Sequence, residues 1–330
     1  MALLVSAIAI APLPALANSW TPLVSTVMLH LFIGNFIIGY IEGWLLARWF
    51  QLPRFNTSIT LILANYASAW AGLSLAGYTL PNLSFITLEN IHIWSWILAA
   101  ILFFVTLLVE YPFFRFCLRK QSESATKTLK SLITIHSVSY LLVAIWYVAS
   151  SQTSLLAQLA RVPVSTLDLP ATYQLYFQAP NGEEALKSDL TGANATPIST
   201  ADFQAQLSEF TTTFASESES GDRRLSRFDR VLDQPIPKLT QNSDWDYYIR
   251  TMSGSGIAGL RDRDLAQFDF EFTLETPFAS WPIRHATHID GDFVVFQLGY
   301  DQICILHPHD RVIALIARGT TPFVMPANAS

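Results

Sequence analysis

The chain has 330 residues, of which 51% are hydrophobic and 14% are charged, against about 25% charged in an average soluble domain. Residues 1–155 contain 7 Lys and Arg and 4 Asp and Glu, a net +3, whereas residues 156–330 contain 13 and 22, a net −9. This composition argues against intrinsic disorder and a collagen-like fibre. It also argues against a nucleic-acid-binding protein, because the chain has no strongly basic region to neutralise phosphates.

The first 17 residues are apolar and end in Ala15-Leu16-Ala17. This A-x-A ending is typical of a secretory signal peptide, although no Lys or Arg precedes the apolar run. Two interpretations remain open: a signal peptide cleaved after Ala17, or an uncleaved apolar tail.

Four apolar stretches are long enough to cross a bilayer, which takes about 20 helical residues. They lie at 21–47, 58–79, 91–114 and 130–151. All seven Lys and Arg residues of the N-terminal half lie in the first and third loops, and the second loop has none. Because basic loops stay in the cytoplasm, residues 152–330 are expected on the extracytoplasmic side, periplasmic or lumenal. We therefore predict a four-helix transmembrane domain over 18–155.

Ionisable and amide side chains lie within these apolar stretches at a similar distance from the predicted cytoplasmic helix ends. They are Glu42, Asn65, Glu110 and His136. Intramembrane polar groups are candidates for function because each is costly to bury, so the four predict a proton relay or a cation site. The alternative places Glu42 and Glu110 at the headgroup level, since Pro112 disfavours helical backbone at Tyr111.

Two further histidines in the spans, His30 and His92, raise the possibility of a haem held by two imidazoles. Their predicted depths differ by roughly 10 Å, so interhelical hydrogen bonding by His30 is the favoured interpretation. Gly39 and Gly43 are spaced as in a G-x-x-x-G motif, which predicts close approach of another helix.

Residues 156–330 are predicted to form a soluble α+β domain. An aromatic-rich strand is expected at 172–179, and a helix after Ser199 with an apolar stripe of Phe203, Leu207, Phe210 and Phe214. The acidic run 216–221 is predicted to be a flexible break, followed by a short amphipathic helix over 222–233. Four strands, at 268–274, 293–298, 302–306 and 311–317, predict an antiparallel meander.

Few catalytic motifs occur in this region. Gly254, Gly256 and Gly259 match G-x-G-x-x-G, but no βαβ unit follows, so we expect a glycine-rich turn. The sequence has no P-loop, G-x-S-x-G or H-E-x-x-H motif, which argues against a nucleotide-binding protein and the common hydrolases.

A group of histidines near the C-terminus is a candidate metal site. His285, His288, His307 and His309 lie close to three aspartates, and imidazole with carboxylate suits zinc, copper or nickel. The spacing matches no familiar ligand pattern, so solvated loop histidines are the alternative.

Three functions are compatible with the sequence. The favoured expectation is an integral membrane protein whose acidic extracytoplasmic domain binds or assembles another membrane protein, without enzymatic activity. The second is a helical bundle that translocates protons or cations through Glu42, Glu110 and His136. The third is an extracytoplasmic metal-binding protein.

Overall fold

A computed structural model describes residues 28–79, 84–150, 154–220, 233–240, 242–250, 256–261, 268–276 and 279–327. The predicted signal peptide, its cleavage position, the start of the first span and residues 222–232 of the predicted amphipathic helix lie outside these residues. The chain divides into two compact units, which are described separately. One unit contains the four long helices, and the other contains residues 84–91 together with the region from residue 154.

The helical unit consists of four long helices joined by short connections. They are α1 (Asn35–Phe50), which follows a π-helical turn at His30–Gly34, α2 (Arg54–Thr79), α3 (Ile91–Leu118) and α4 (Ser124–Ser150). All four are long and apolar enough to cross a membrane. This agrees with the four apolar stretches predicted from the sequence.

Helices α1 and α3 end later than the sequence predicts. The alternative that disfavoured helical backbone at Tyr111 is not observed, because Pro112 lies inside α3, which continues past the predicted residue 114 to Leu118. Proline removes one backbone hydrogen bond, but the buried Phe114 and Leu118 pack against α1, α2 and α4 residues and hold the next turns in place. Similarly, α1 continues to Phe50 and is terminated by Gln51, whose φ of 53° is left-handed.

Helices α1 and α2 approach each other closely at two glycines of α1. A Cβ at Gly39 would lie 2.6 Å from the Ile62 Cα atom, and one at Gly43 would lie 2.4 Å from the Ser58 Cα atom. The prediction that these two glycines allow close helix approach is thereby confirmed.

The second unit is rich in β-strands. They are β1 (Ala160–Arg161), β2 (Tyr173–Gln178), β3 (Ala185–Ser188), β4 (Thr196–Ile198), β5 (Asp233–Pro235), β6 (Asp246–Arg250), β7 (Gly256–Leu260), β8 (Phe270–Thr273), β9 (Glu275–Thr276), β10 (Ala279–Ser280), β11 (Ile283–Ile289), β12 (Phe293–Leu298), β13 (Gln302–His307), β14 (Val312–Arg318) and β15 (Thr320–Pro326). Two helices accompany them, the short α5 (Leu155–Gln158) and α6 (Thr200–Ser220).

These strands form three larger sheets, where the sequence predicted one. Their orders are β1-β14-β13-β12-β11, β15-β2-β3-β4 and β5-β6-β7-β8, with β9 and β10 forming a separate pair. Three of the four strands of the predicted meander are confirmed, since β12, β13 and β14 pair antiparallel in sequence order. The placement of the fourth was wrong: the strand predicted at 268–274 is β8, which belongs to the sheet β5-β6-β7-β8, and its place beside β12 is taken by β11, while β1 adds a parallel edge strand. The extra sheets come from short strands whose alternation is too brief to register in the sequence.

Side-chain alternation along β2 and β15 creates two cores. Leu175 and Val324 face a core shared with the meander, whereas Tyr176 and Phe323 face α6. Because neighbouring residues of a strand point to opposite faces, one sheet packs against both partners.

Helix α6 begins as predicted and ends later. The Ser199 hydroxyl accepts a hydrogen bond from the Asp202 backbone amide at 3.0 Å, which satisfies one free N–H at the helix start. Phe203, Leu207 and Phe210 pack against the sheet, while the Phe214 side chain lies outside the described residues. The predicted break at 216–221 is wrong up to Ser220, because the helix continues to that residue.

The predicted glycine-rich turn is also wrong for its described part. Gly256 and Gly259 lie in β7, which pairs antiparallel with β6 and β8, and Gly254 lies outside the described residues. A Cβ at Gly259 would lie 2.3 Å from the Phe270 ring, so glycine is needed for that ring to cross the strand.

Candidate functional site

Four polar side chains from the four long helices meet inside the helical unit. Glu42 on α1, Asn65 on α2, Glu110 on α3 and His136 on α4 are each buried, and the two glutamates and the histidine are at most 1% exposed. The structure therefore brings together the four residues that the sequence placed at a similar depth. We call Glu42, Glu110 and His136 the triad.

His136 lies between the two carboxylates. Its Nδ1 atom is 3.3 Å from the Glu42 Oε1 atom, and its Nε2 atom is 3.2 Å from the Glu110 Oε2 atom. Each ring nitrogen therefore faces a carboxylate from a different helix, and the imidazole connects α1 with α3.

Uncharged donors fix the orientation of both carboxylates. Asn65 donates to Glu42 Oε2 at 2.7 Å, and Ser139 donates to Glu42 Oε1 at 2.8 Å. Ser68 donates to Glu110 Oε1 at 2.6 Å. In the described part of the chain, the Glu110 Oε2 and His136 Nε2 atoms are buried without an aligned hydrogen bond.

Helix length places the triad well away from the helix ends. Glu42 and Glu110 each lie eight residues before the end of their helix, which is about 12 Å at the helical rise. His136 lies 12 residues after the start of α4, about 18 Å along the axis. The headgroup-level alternative relied on an interruption of the helix at Tyr111, and α3 continues beyond that residue to Leu118.

Further polar contacts occur elsewhere along the bundle. Thr106 and Tyr140 share a hydrogen bond of 2.7 Å between their hydroxyls, and the His30 Nδ1 atom is 3.1 Å from the Tyr147 hydroxyl. On the other side of the triad along α4, Ser131 and Thr128 are buried. Polar side chains thus occur in both directions from the triad.

Sequence reasoning missed the two serines that hold the carboxylates. Ser68 lies three residues after Asn65, and Ser139 lies three residues after His136, so each shares a helix face with a residue that was identified. That i, i+3 spacing was the available signal, but serine is frequent on helices and points to no specific chemistry by itself.

The triad has the donor atoms of a cation site. Each member offers one ligand atom, and these three atoms lie within 4.8 Å of one another. Two carboxylates and an imidazole are hard to intermediate ligands that suit protons and divalent metal ions. Among the residues that the structure describes, no other group of three or more His, Cys, Asp or Glu residues has its ligand atoms this close together.

The C-terminal histidines do not form a comparable group among the described residues. The Asp292 carboxylate lies between two of the histidines. Its Oδ1 atom is 3.4 Å from the His288 Nε2 atom, and its Oδ2 atom is 3.6 Å from the His309 Nε2 atom. His307 instead contacts Asp310, and His285 lies at an irregularity of β11 with a left-handed φ of 50°. The expected convergence of all four imidazoles is not observed.

His288 is nevertheless an unusual residue. Its side chain is fully buried, and neither ring nitrogen has an aligned hydrogen bond within the described chain. Burial lowers the pKa of His288 to about 4, because the charged form loses its hydration and the nearby Lys238 disfavours it further, against the opposing effect of Asp292. His288 is therefore neutral at pH 7.

The two histidines considered for haem have different surroundings. His30 contacts the Tyr147 ring edge-on as well as its hydroxyl, which agrees with interhelical hydrogen bonding. His92 is exposed at the start of α3.

No protein-family model, curated protein or solved structure matches this sequence.

Proposed function

We propose that this chain is an integral membrane protein that binds a cation at the triad and translocates it across the membrane. The proposal is carried by one observation: two buried carboxylates and an imidazole, from three different helices, place their ligand atoms within 4.8 Å of one another. Ionisable groups at such depth are costly, and in membrane proteins they commonly form ion or proton pathways.

The four apolar helices support the membrane placement. Many large apolar side chains point away from the bundle, for example Phe104 and Leu108 on α3, which are 67% and 77% exposed. In water such a surface is unfavourable, whereas in hydrocarbon it is the expected lipid-facing surface.

The connectivity supports an extracytoplasmic position for the β-rich unit. Residues 84–91 connect α2 to α3 and also belong to the β-rich unit, where the Leu88 amide donates to Gln302 Oε1 at 2.6 Å. This connection has no Lys or Arg, while the connections on the other side contain Arg119 and Lys120. The positive-inside rule then places the β-rich unit opposite the cytoplasm.

Polar side chains on both sides of the triad support translocation in addition to binding. The Thr106–Tyr140 and His30–Tyr147 pairs provide hydroxyl and imidazole groups in one direction, and Ser131 and Thr128 in the other. Such groups replace part of the hydration that a cation loses inside a bilayer.

The test is cation flux in liposomes that contain the purified full-length protein. Imposed gradients of protons, Na⁺, K⁺, Mn²⁺ and Zn²⁺ are followed with indicator dyes. We expect flux of at least one of these cations, and a decrease of at least about tenfold in the Glu110→Gln variant. Glu89→Gln, the same change at an exposed loop residue, is the matched control. Equal flux in all three proteins, or none for any cation, would contradict the proposal.

A second candidate function is partner binding by the β-rich region, and it is favoured by charge. Residues 156–330 have a net charge of −9, which repels anionic headgroups and favours a basic protein surface. Copurification of a membrane protein that is lost at high salt supports this function, and unchanged copurification at high salt contradicts an electrostatic interface.

A further inference from the structure

The charge and geometry of the triad point to a specific kind of cation. We infer that the triad binds a first-row divalent transition metal ion such as Zn²⁺ or Mn²⁺, with His136 Nε2 and Glu110 Oε2 as its innermost ligands. This inference rests on the proposed function, because it names the class of cation that the site takes.

The first argument is the separation of two ligand atoms that face each other. Glu110 Oε2 and His136 Nε2 are buried, are 3.2 Å apart and have no aligned hydrogen bond in the described part of the chain. Zinc binds imidazole nitrogen and carboxylate oxygen at about 2.0–2.2 Å, so two ligands of one ion lie roughly 3 Å apart. An ion between these atoms would satisfy both of them.

The second argument is the outer set of contacts. A histidine that binds a metal commonly donates its other N–H to a carboxylate, which fixes the ring orientation. The His136 Nδ1 atom faces Glu42 Oε1 at 3.3 Å, which leaves Nε2 with its lone pair for the ion. Ser68 donates to Glu110 Oε1, so the other oxygen, Oε2, remains available.

The third argument is charge balance in a buried site. A histidine binds a metal ion in its neutral form, so metal binding releases any proton that the ligand atoms hold. The ligand set in the metal-bound state, two ionised glutamates and a neutral imidazole, has a charge of −2, which a divalent ion cancels and a monovalent ion leaves half compensated. An uncompensated charge is costly at the depth of a residue that is at most 1% exposed.

The ligand types select among divalent ions. Calcium prefers six to eight oxygen ligands, and the triad contains an imidazole. Imidazole suits zinc, iron, nickel and copper, and carboxylate suits manganese, so the mixed ligands of the triad favour first-row transition metal ions as a class over calcium.

The test is metal binding by the full-length protein in detergent after removal of bound metal with a chelator. Zn²⁺ binding is measured by equilibrium dialysis, and Mn²⁺ binding by electron paramagnetic resonance with Zn²⁺ competition. We expect one ion per chain, with the affinity reduced at least about 100-fold in Glu110→Gln and about 10-fold in Ser68→Ala. Glu89→Gln should bind as the wild type does.

A measurement on the wild-type protein alone guards against variants that misfold. X-ray absorption of the zinc-bound protein should show nitrogen and oxygen ligands at about 2.0–2.2 Å, including one imidazole. No stoichiometric binding, or equal binding by wild type and Glu110→Gln, would overturn the inference. Proton flux without metal binding would overturn this inference and leave the proposed function standing, whereas metal binding without any flux would support the inference and contradict translocation.

Discussion

Gly43 on α1 lies directly against the backbone of Ser58 on α2, so closely that a Cβ at residue 43 would be 2.4 Å from the Ser58 Cα atom. Glu42, the adjacent residue, accepts a hydrogen bond from Asn65, two turns further along α2. The close backbone contact therefore sets the distance across which the Glu42–Asn65 hydrogen bond forms.

Substitution of Gly43 should test this dependence. We expect Gly43→Ala to destabilise the helical unit by about 1–3 kcal/mol, because the new methyl group can be accommodated only if the helices separate. Reversible unfolding in mixed detergent micelles measures the change. Gly72→Ala is the matched control, since its Cβ would contact Leu102 at an ordinary 3.4 Å. Equal effects at the two glycines would show that the close approach contributes nothing specific.

Removal of one charge from the triad should destabilise the metal-free protein strongly. In Glu110→Gln, His136 and Glu42 keep their burial but lose a partner, and breaking a buried ion pair costs about 3–5 kcal/mol. Reversible unfolding of the chelator-treated protein in mixed detergent micelles measures the change. Glu89→Gln should change the free energy of unfolding by less than about 0.5 kcal/mol. If Glu110→Gln is as stable as the wild type, the triad is not an ionised network.

The helical half of the fold could be predicted because helices of this length and apolar composition follow from the sequence pattern alone. The sequence also predicted which polar residues meet, because a similar depth on four helices restricts them to one layer. These residues are Glu42, Asn65, Glu110 and His136. The ends of α1 and α3 could not be predicted, since whether a helix continues past Pro112 depends on the packing of Phe114 and Leu118.

The β-rich unit was less predictable from sequence. Three strands of the meander, β12 to β14, were identified, but β11 and short strands such as β3 and β4 were not. The contact between Leu88 and Gln302 joins residues 214 positions apart, and no local pattern encodes such a pairing. The irregularity in β11, which includes His285, was likewise not encoded by a local sequence pattern.

The β-rich unit should lose stability in mild acid because of His288. Its folded pKa of about 4 lies below the ordinary 6.5, so the unfolded state binds the proton first as the pH falls. Stability from this residue is fully present above pH 6.5 and is lost as the pH falls to 4, a change of about 3 kcal/mol. Asp292, Lys238 and Asp246 are the charged groups that contribute to this pKa.

Thermal unfolding of the full-length protein between pH 7 and pH 4 measures this effect. Over that range the free energy of unfolding of His288→Leu should decrease less than that of the wild type, by about the amount that protonation of His288 contributes. His307→Gln is the histidine control, because the His307 side chain is partly exposed and contacts an exposed carboxylate. A wild-type pH profile in His288→Leu would assign the acid sensitivity to other groups.

The orientation of the chain in the membrane can be tested with fused reporters. In the proposed topology α3 and α4 cross the membrane in opposite directions, which would put the α2–α3 connection and the region after Ser150 on one side and the connection at Gln121 on the other. The basic residues flank Gln121, which predicts that this connection is cytoplasmic. Alkaline phosphatase needs disulfides that form only outside the cytoplasm, so its fusion after Ser330 should be active and its insertion at Gln121 inactive. A cytoplasmic reporter should give the opposite pattern at both positions. Phosphatase activity at Gln121 but not after Ser330 would invert the orientation and place the β-rich unit in the cytoplasm.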